Sequence, residues 1–210
     1  MMKIPLITDC EFDHTVLHDD GMQLVHIKNF ISHDEIQSII NHTQTLDRER
    51  ATVVCSKTGG ARPDPRRLSD QYINPDGKWA TNTLMDIDKR MNKLVNWKSH
   101  LSSDWAFVEY TKSGKYLPHF DYFEEDVLSE RSQRVGSFII YIKKASVGGA
   151  TVFPNIMKKV DAQPGDAIFF NYTPYITKES LHGGGVVKDG TKLIAVRWFH
   201  EDIDQPTQTG

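Results

Sequence analysis

The chain has 210 residues, 39% hydrophobic and 25% charged, which is enough apolar material for one sizeable core in a single domain. Its 25 basic and 28 acidic side chains leave a formal net charge of −3, with no electrostatic footprint for nucleic acid or an anionic membrane. The longest apolar run, Phe138 to Ile142, falls far short of the roughly 20 residues of a membrane span, and no secretory apolar segment follows Lys3.

The first clear element is the alternating run Met22–Ile27, which reads as a strand. A helix is expected from Ser32, with Glu35 at capping-box spacing and Ile36, Ile39 and Ile40 at helical intervals, fading near Leu46. Gly59 to Arg67 reads as a basic loop rich in Gly and Pro. A second helix is expected over Ala80–Trp97, with Leu84, Ile87, Met91, Leu94 and Val95 forming one apolar stripe. From Trp105 the character changes to short β-like runs: Trp105–Tyr110, Tyr116–Phe123, Gly136–Ile142, Ala150–Phe153, Ala167–Asn171 and Lys192–His200. Many short strands divided by Gly and Pro argue for a sandwich or barrel, with the helices buttressing one face. This divides one domain into a supporting region at 1–100, a β core at 101–201 and a flexible polar tail at 202–210. The two cysteines, Cys10 and Cys55, cannot make a disulfide framework and read as reduced thiols, so a cytoplasmic setting is expected.

The chemistry resides in the histidines. A carboxylate two residues from a histidine can share a strand face with it and offer two ligands to a divalent metal. Four of the nine histidines have that partner: His18/Asp20, His33/Glu35, His119/Asp121 and His200/Asp202. Context separates them. His18 lies in an acidic stretch, His33 opens a helix, and His200 leads into the tail. His119 and Asp121 lie in the aromatic run Tyr116-Leu117-Pro118-His119-Phe120-Asp121-Tyr122-Phe123, where an unpaired charge facing the core would be costly. From chemistry alone, a metal pair and a hydrogen-bonded structural pair are equally good readings.

A third ligand must come from elsewhere, and His182, in Ser180-Leu181-His182-Gly183-Gly184-Gly185, is the histidine available before the tail. Two His and one carboxylate form the facial set suited to non-haem Fe(II) oxygen chemistry. An isolated histidine in a glycine turn is more often a surface residue. Lys188-Asp189-Gly190-Thr191 reads as a hairpin with an Asp-Gly turn, which places Lys192, Ile194, Val196 and Trp198 on one strand face. A lysine beside that apolar set needs an anion such as a dicarboxylate, unless it snorkels to solvent.

Together these residues resemble the prolyl 4-hydroxylase family of Fe(II)- and 2-oxoglutarate-dependent dioxygenases. The ordered match runs from Tyr110 through Tyr116–Phe123, Gln133-Arg134, Gly148–Pro154, Pro164–Phe170, Ser180–Gly183 and Lys192 to Trp198-Phe199-His200. The resemblance implies an α+β, mainly β fold, a double-stranded β-helix (jelly-roll) with supporting N-terminal helices. It implies Fe(II) held by His119, Asp121 and His182, and 2-oxoglutarate anchored by Lys192 with Tyr110 and Thr151 as hydroxyl partners. Arg134, Tyr116 and Trp198 match positions lining the family's peptide groove. The implied reaction is O2-dependent hydroxylation of peptidyl proline at C4 with release of succinate and CO2, ascorbate serving as reductant. A proline-containing peptide or protein is the expected partner, with neither nucleic acid nor membrane.

Two features depart from the family pattern. Gly183–Val187 stands where many members have a Cys-Pro pair, and the Arg62–Arg67 loop, in the region where relatives close over the peptide, does not match closely. Rival readings are an oxygenase acting on another protein residue or a small molecule, and a non-catalytic jelly-roll binding protein. A nucleic-acid demethylase would share the metal triad, but the balanced charge and the lysine anchor argue against it.

Overall fold

The computed structural model describes residues 3–54, 61–73, 81–124 and 132–202. β1 (His14–Asp19) pairs with β2 (Gln23–Ile27), and α1 (His33–Thr43) follows. Ser32 caps α1 by accepting from the Glu35 N–H, and the Glu35 carboxylate accepts from the Ser32 N–H, so the expected capping box forms. Short strands come next: β3 (Arg48–Arg50), β4 (Thr52–Val54), β5 (Ala61–Pro63), β6 (Arg67–Leu68) and β7 (Asp70–Tyr72). α2 (Asn82–Leu94) starts from the Thr81 cap and buries its stripe of Leu84, Ile87, Met91 and Leu94. The β half then runs through β8 (Ala106–Tyr110), β9 (Lys115–His119), β10 (Arg134–Lys143), β11 (Val147–Gly148), β12 (Thr151–Phe153) and β13 (Lys158–Val160). It ends with β14 (Ala167–Asn171), β15 (His182–Gly184), β16 (Val187–Asp189) and β17 (Lys192–His200).

These strands make a major sheet in the order β1-β2-β14-β10-β17-β8-β7-β3 and a minor sheet in the order β13-β12-β15-β9-β6, with all pairs antiparallel. This is the expected jelly-roll. Two apolar layers hold it together, one on each face of the major sheet. Phe138, Ile140 and Ile142 of β10 join Phe169, Ala195 and the buried stripe of α2 in the layer under the helices. Ile139 and Tyr141, one residue out of step, join Ile168, Phe170, Ile194 and Phe153 between the sheets. A strand covered on both faces can be apolar at nearly every position, which explains the run Phe138–Ile142.

Several expectations are corrected. Tyr116–Phe123 is not one strand: β9 ends at His119, where its partner β15 begins, and Asp121 lies in the bend beyond. The Asp-Gly turn forms, with Gly190 at φ +77, but its flanking strands do not pair; β16 joins β11 while β17 enters the major sheet. Part of the expected basic loop is strand: Ala61–Pro63 pairs with β4, and Arg67–Leu68 adds an edge to the minor sheet beside β9. Its first residues, Gly59 and Gly60, lie outside the described residues, as do Cys55 and Ala80. Of the expected flexible tail only Asp202 is described, and it is held by Lys98 at 2.6 Å.

Candidate active site

The site is built where the two sheets open. His119 and His182 are direct partners in the β9–β15 ladder, with ring centroids 4.4 Å apart. That approach depends on Gly183: a Cβ there would lie 2.7 Å from the Tyr116 carbonyl oxygen, so only glycine lets the strands close beside His182. Asp121 turns back from the bend and places Oδ1 3.5 Å from His119 Nε2 and Oδ2 3.6 Å from His182 Nε2. Each imidazole makes its Nδ1 contact with a backbone carbonyl, Leu117 at 3.0 Å and Ser180 at 2.9 Å. With those nitrogens donating, both Nε2 lone pairs face the carboxylate.

One donor atom from each of the three lies within 4.8 Å of the others, and among the described residues this is the one His/Cys/Asp/Glu group so arranged. Burial pushes the His182 imidazole down to about 4, against the pull of Asp121, so it is neutral at pH 7. Burial alone would raise the Asp121 carboxyl, but His182, His119 and Arg134 together hold it well below its ordinary value. Two imidazoles and one carboxylate fit a divalent first-row metal with open positions, Fe(II) included.

Deeper in the same opening lies Lys192, 4% exposed. Its Nζ donates to Gly149 O at 2.8 Å and reaches Thr151 Oγ1 at 3.4 Å, and it makes no ion pair among the described residues. The Tyr110 and Tyr141 rings flank it at 5.5 and 5.3 Å. Burial lowers its pKa to about 8, so it is still mostly a cation at pH 7. A buried ammonium without a carboxylate partner is costly, and an anion at this point would relieve that cost. Arg197, on the opposite face of β17, is unsuited to the role because Asp88 holds it at 2.7 Å.

Arg134, Tyr116 and Trp198 complete the walls. The Arg134 guanidinium stacks between Trp198 and Phe123, at 3.9 and 4.4 Å, and donates to the backbone carbonyl of Asp121 at 3.2 Å. Tyr116 stacks on His119 at 3.6 Å, with the Arg67 guanidinium 5.0 Å over its ring. The nine residues singled out in the sequence, Tyr110, Tyr116, His119, Asp121, Arg134, Thr151, His182, Lys192 and Trp198, all line one cavity of about 810 Å³. The other His-x-acid pairs do not contribute. His18 Nε2 faces the Asp20 backbone carbonyl, His33 begins α1, and His200 Nδ1 lies against Ser132.

The family model of the 2OG-Fe(II) oxygenase superfamily matches residues 105–200, the segment that carries every one of these side chains. A probable prolyl 4-hydroxylase 10 of Arabidopsis thaliana is 28% identical over 81% of this chain and 66% of its own length. A solved structure of the viral collagen prolyl hydroxylase of Paramecium Bursaria Chlorella virus-1, as its 2OG complex, superposes with a TM-score of 0.63 at 25% identity. That match covers 86% of this chain and 96% of the viral one. Residues 105–200 thus match a 2OG-Fe(II) oxygenase domain, and the relatives that the chain resembles are prolyl 4-hydroxylases. The chain spans about two thirds of the plant oxygenase's length and 35% of the human prolyl 4-hydroxylase subunit alpha-1, to which it is 26% identical.

Around this cluster, three polar residues that sequence reasoning passed over support the site. Ser137 donates to Asp121 Oδ2 at 2.6 Å and shares a 3.2 Å hydrogen bond with the Tyr172 hydroxyl. The Tyr141 hydroxyl shares a 2.6 Å bond with Thr151 Oγ1 beside Lys192. A signal was present for two of them: Ser137 and Tyr141 are polar groups of the same parity on β10, a strand otherwise apolar on both faces. Gln133 is a fourth support, gripping Phe123 through both backbone groups at 2.8 Å and so fixing the loop that follows Asp121.

Proposed function

We propose that this chain is an Fe(II)- and 2-oxoglutarate-dependent dioxygenase that hydroxylates peptidyl proline at C4. The observation that carries the reading is the pairing of the His119–Asp121–His182 cluster with the buried, carboxylate-free Lys192 in one cavity. His119, Asp121 and His182 would hold Fe(II). Lys192 would pair with the distal carboxylate of 2-oxoglutarate, with the hydroxyls of Tyr110 and Thr151, and of Tyr141 behind Thr151, completing that end. Bound iron, 2-oxoglutarate and O2 supply the oxidising power, with succinate and CO2 as by-products and ascorbate keeping the metal reduced.

The protein's part is positioning. His182 stays neutral and Asp121 anionic, so the donor set is ready at neutral pH. Lys192 orients a dicarboxylate lengthwise by charge, and the apolar wall of Ile139, Ile194 and Val196 keeps competing water away from its methylene groups. Trp198 and Tyr116 line the cavity with aromatic surface for a proline ring, which fixes φ and favours an extended segment. The names of the plant and human relatives support prolyl hydroxylation over a small-molecule substrate. The two cysteines support a reducing setting such as the cytoplasm, Cys10 being a free thiol.

The test is incubation of the protein with Fe(II), ascorbate, 2-oxoglutarate and proline-rich peptides, followed by mass spectrometry and succinate measurement. Peptide-stimulated succinate with one oxygen gained on proline is the expected result. Slow succinate formation with every proline peptide unmodified would defeat the prolyl reading and leave the dioxygenase reading standing.

A further inference from the structure

We propose that the wall built by Arg62, Arg66 and Arg67 makes this cavity selective for peptides that carry an acidic side chain next to the target residue. The inference rests on the reading that the cavity takes a peptide, and it concerns which peptide.

β4 and β5 form a two-stranded finger of their own. Val53 and Arg62 are direct partners in it, so their side chains share a face, and both line the cavity. Arg62 is exposed and makes no hydrogen bond or ion pair among the described residues. Arg66 lies on the same wall. Asp64 orients it through Nε and Nη2, at 3.0 and 2.7 Å to Oδ2, yet its side chain remains 61% exposed. Arg67 is held by uncharged groups, the Thr52 carbonyl and the Ser69 hydroxyl, and lies over the Tyr116 ring that backs His119. Three guanidinium groups thus gather around one paired carboxylate, Asp64, with Glu124 also within electrostatic reach of Arg66, and the wall keeps a net positive charge.

Another part of the cavity lining has a different character. Phe120 and Tyr122 stack at 4.9 Å, and Tyr175 meets Tyr122 edge-on at 5.1 Å. A segment crossing the metal cluster therefore meets an aromatic part of the lining and a basic one. A carboxylate beside the target residue can reach Arg62 without displacing an internal partner. A lysine in that place meets like charge. Attraction across a half-open cleft also raises the encounter rate and is weakened by salt.

The experiment measures binding separately from turnover. Fluorescently labelled peptides with one central proline, differing only in Asp, Asn or Lys on either side of it, are titrated against the full chain with Fe(II) and 2-oxoglutarate under anaerobic conditions. The expected order is Asp tighter than Asn tighter than Lys, with about threefold to tenfold between Asp and Asn at low salt, shrinking as ionic strength rises. Arg62→Glu, an exposed substitution, should reverse the order of the Asp and Lys peptides. Equal affinities, no measurable binding of the Asp peptide, or an order unchanged in Arg62→Glu would each overturn the inference. Admitting O2 then tests the parent reading independently: charge-ordered binding without oxidation of proline would defeat prolyl hydroxylation while the charge selection stands.

Discussion

Ser137, at the centre of the doubly covered strand β10, donates a 2.6 Å hydrogen bond to Oδ2 of Asp121. The carboxylate sits in a bend, outside any ladder, so this bond ties the least regular member of the cluster to a strand covered on both faces. Ser137→Ala removes one hydroxyl and opens little space. It should lower Co(II) or Mn(II) affinity about 10- to 100-fold, the range for partners that orient metal ligands, with little loss of thermal stability. Metal titration followed by absorbance or electron paramagnetic resonance reads the effect, and unchanged affinity would remove Ser137 from the site.

Replacing His119, Asp121 or His182 by Ala should abolish tight metal binding while the apolar layer between the major sheet and the helices, on the far side from the cluster, stays folded. The same change at His18 or His33 should leave metal binding as it was. A visible-range Co(II) spectrum distinguishes the two groups of variants.

Lys192 carries a pH dependence whose sign follows from its burial. Its pKa falls from 10.5 to about 8 on folding, so between those values the unfolded chain binds more protons, and this residue's contribution to stability rises with pH across that window. Below pH 8 the buried ammonium is a cost. Lys192→Met should therefore raise the melting temperature of the ligand-free protein near pH 7, while losing the stabilisation that 2-oxoglutarate gives the parent. Lys192→Ala should weaken 2-oxoglutarate by about 3 kcal/mol, more than a hundredfold. In the parent, 2-oxoglutarate affinity should fall as pH rises above about 8, and in Lys192→Ala that pH dependence should vanish. Thermal shift and KM across pH 6.5 to 9.5 (roughly two units around neutrality and beyond) check all three.

Arg134 has two tasks, and its variants should separate them. Its stack with Trp198 shapes the wall of the groove, while its bond to the Asp121 carbonyl steadies the ligand loop. Arg134→Ala should reduce peptide-coupled turnover most and also loosen metal binding by a few fold, which a purely peptide-contacting arginine would not do. Parallel measurement of metal affinity and of coupled and uncoupled succinate release reads both.

Gly183→Ala should be among the most damaging single-methyl changes in the chain. The added Cβ meets β9 backbone at 2.7 to 3.2 Å, atoms that cannot rotate away, so the β15–β9 ladder must part and carry His182 from His119. Loss of metal binding together with a lower melting temperature is expected.

The sequence by itself determined the elements with strong periods and the identity of the chemistry. The capping box at Ser32, the stripe on α2, the alternation of Lys192, Ile194, Val196 and Trp198, and the ordered series around His119 and His182 are local patterns, and local patterns survive in one dimension. The short strands β3 to β7 and the exposed edge strand β1 left no trace, because two or three residues cannot show a period and an edge facing water need not alternate. Only the tertiary structure decided how the ligands meet. His119 and Asp121 come together through a bend and not along a shared strand face, since β9 loses its partner at His119. Likewise Ser137, Tyr141 and Tyr172 became part of the site only when β10 and β14 were laid beneath it. Which buried hydroxyl faces which carboxylate is set by the pairing of strands distant in sequence, and the sequence around each hydroxyl carries no record of that pairing.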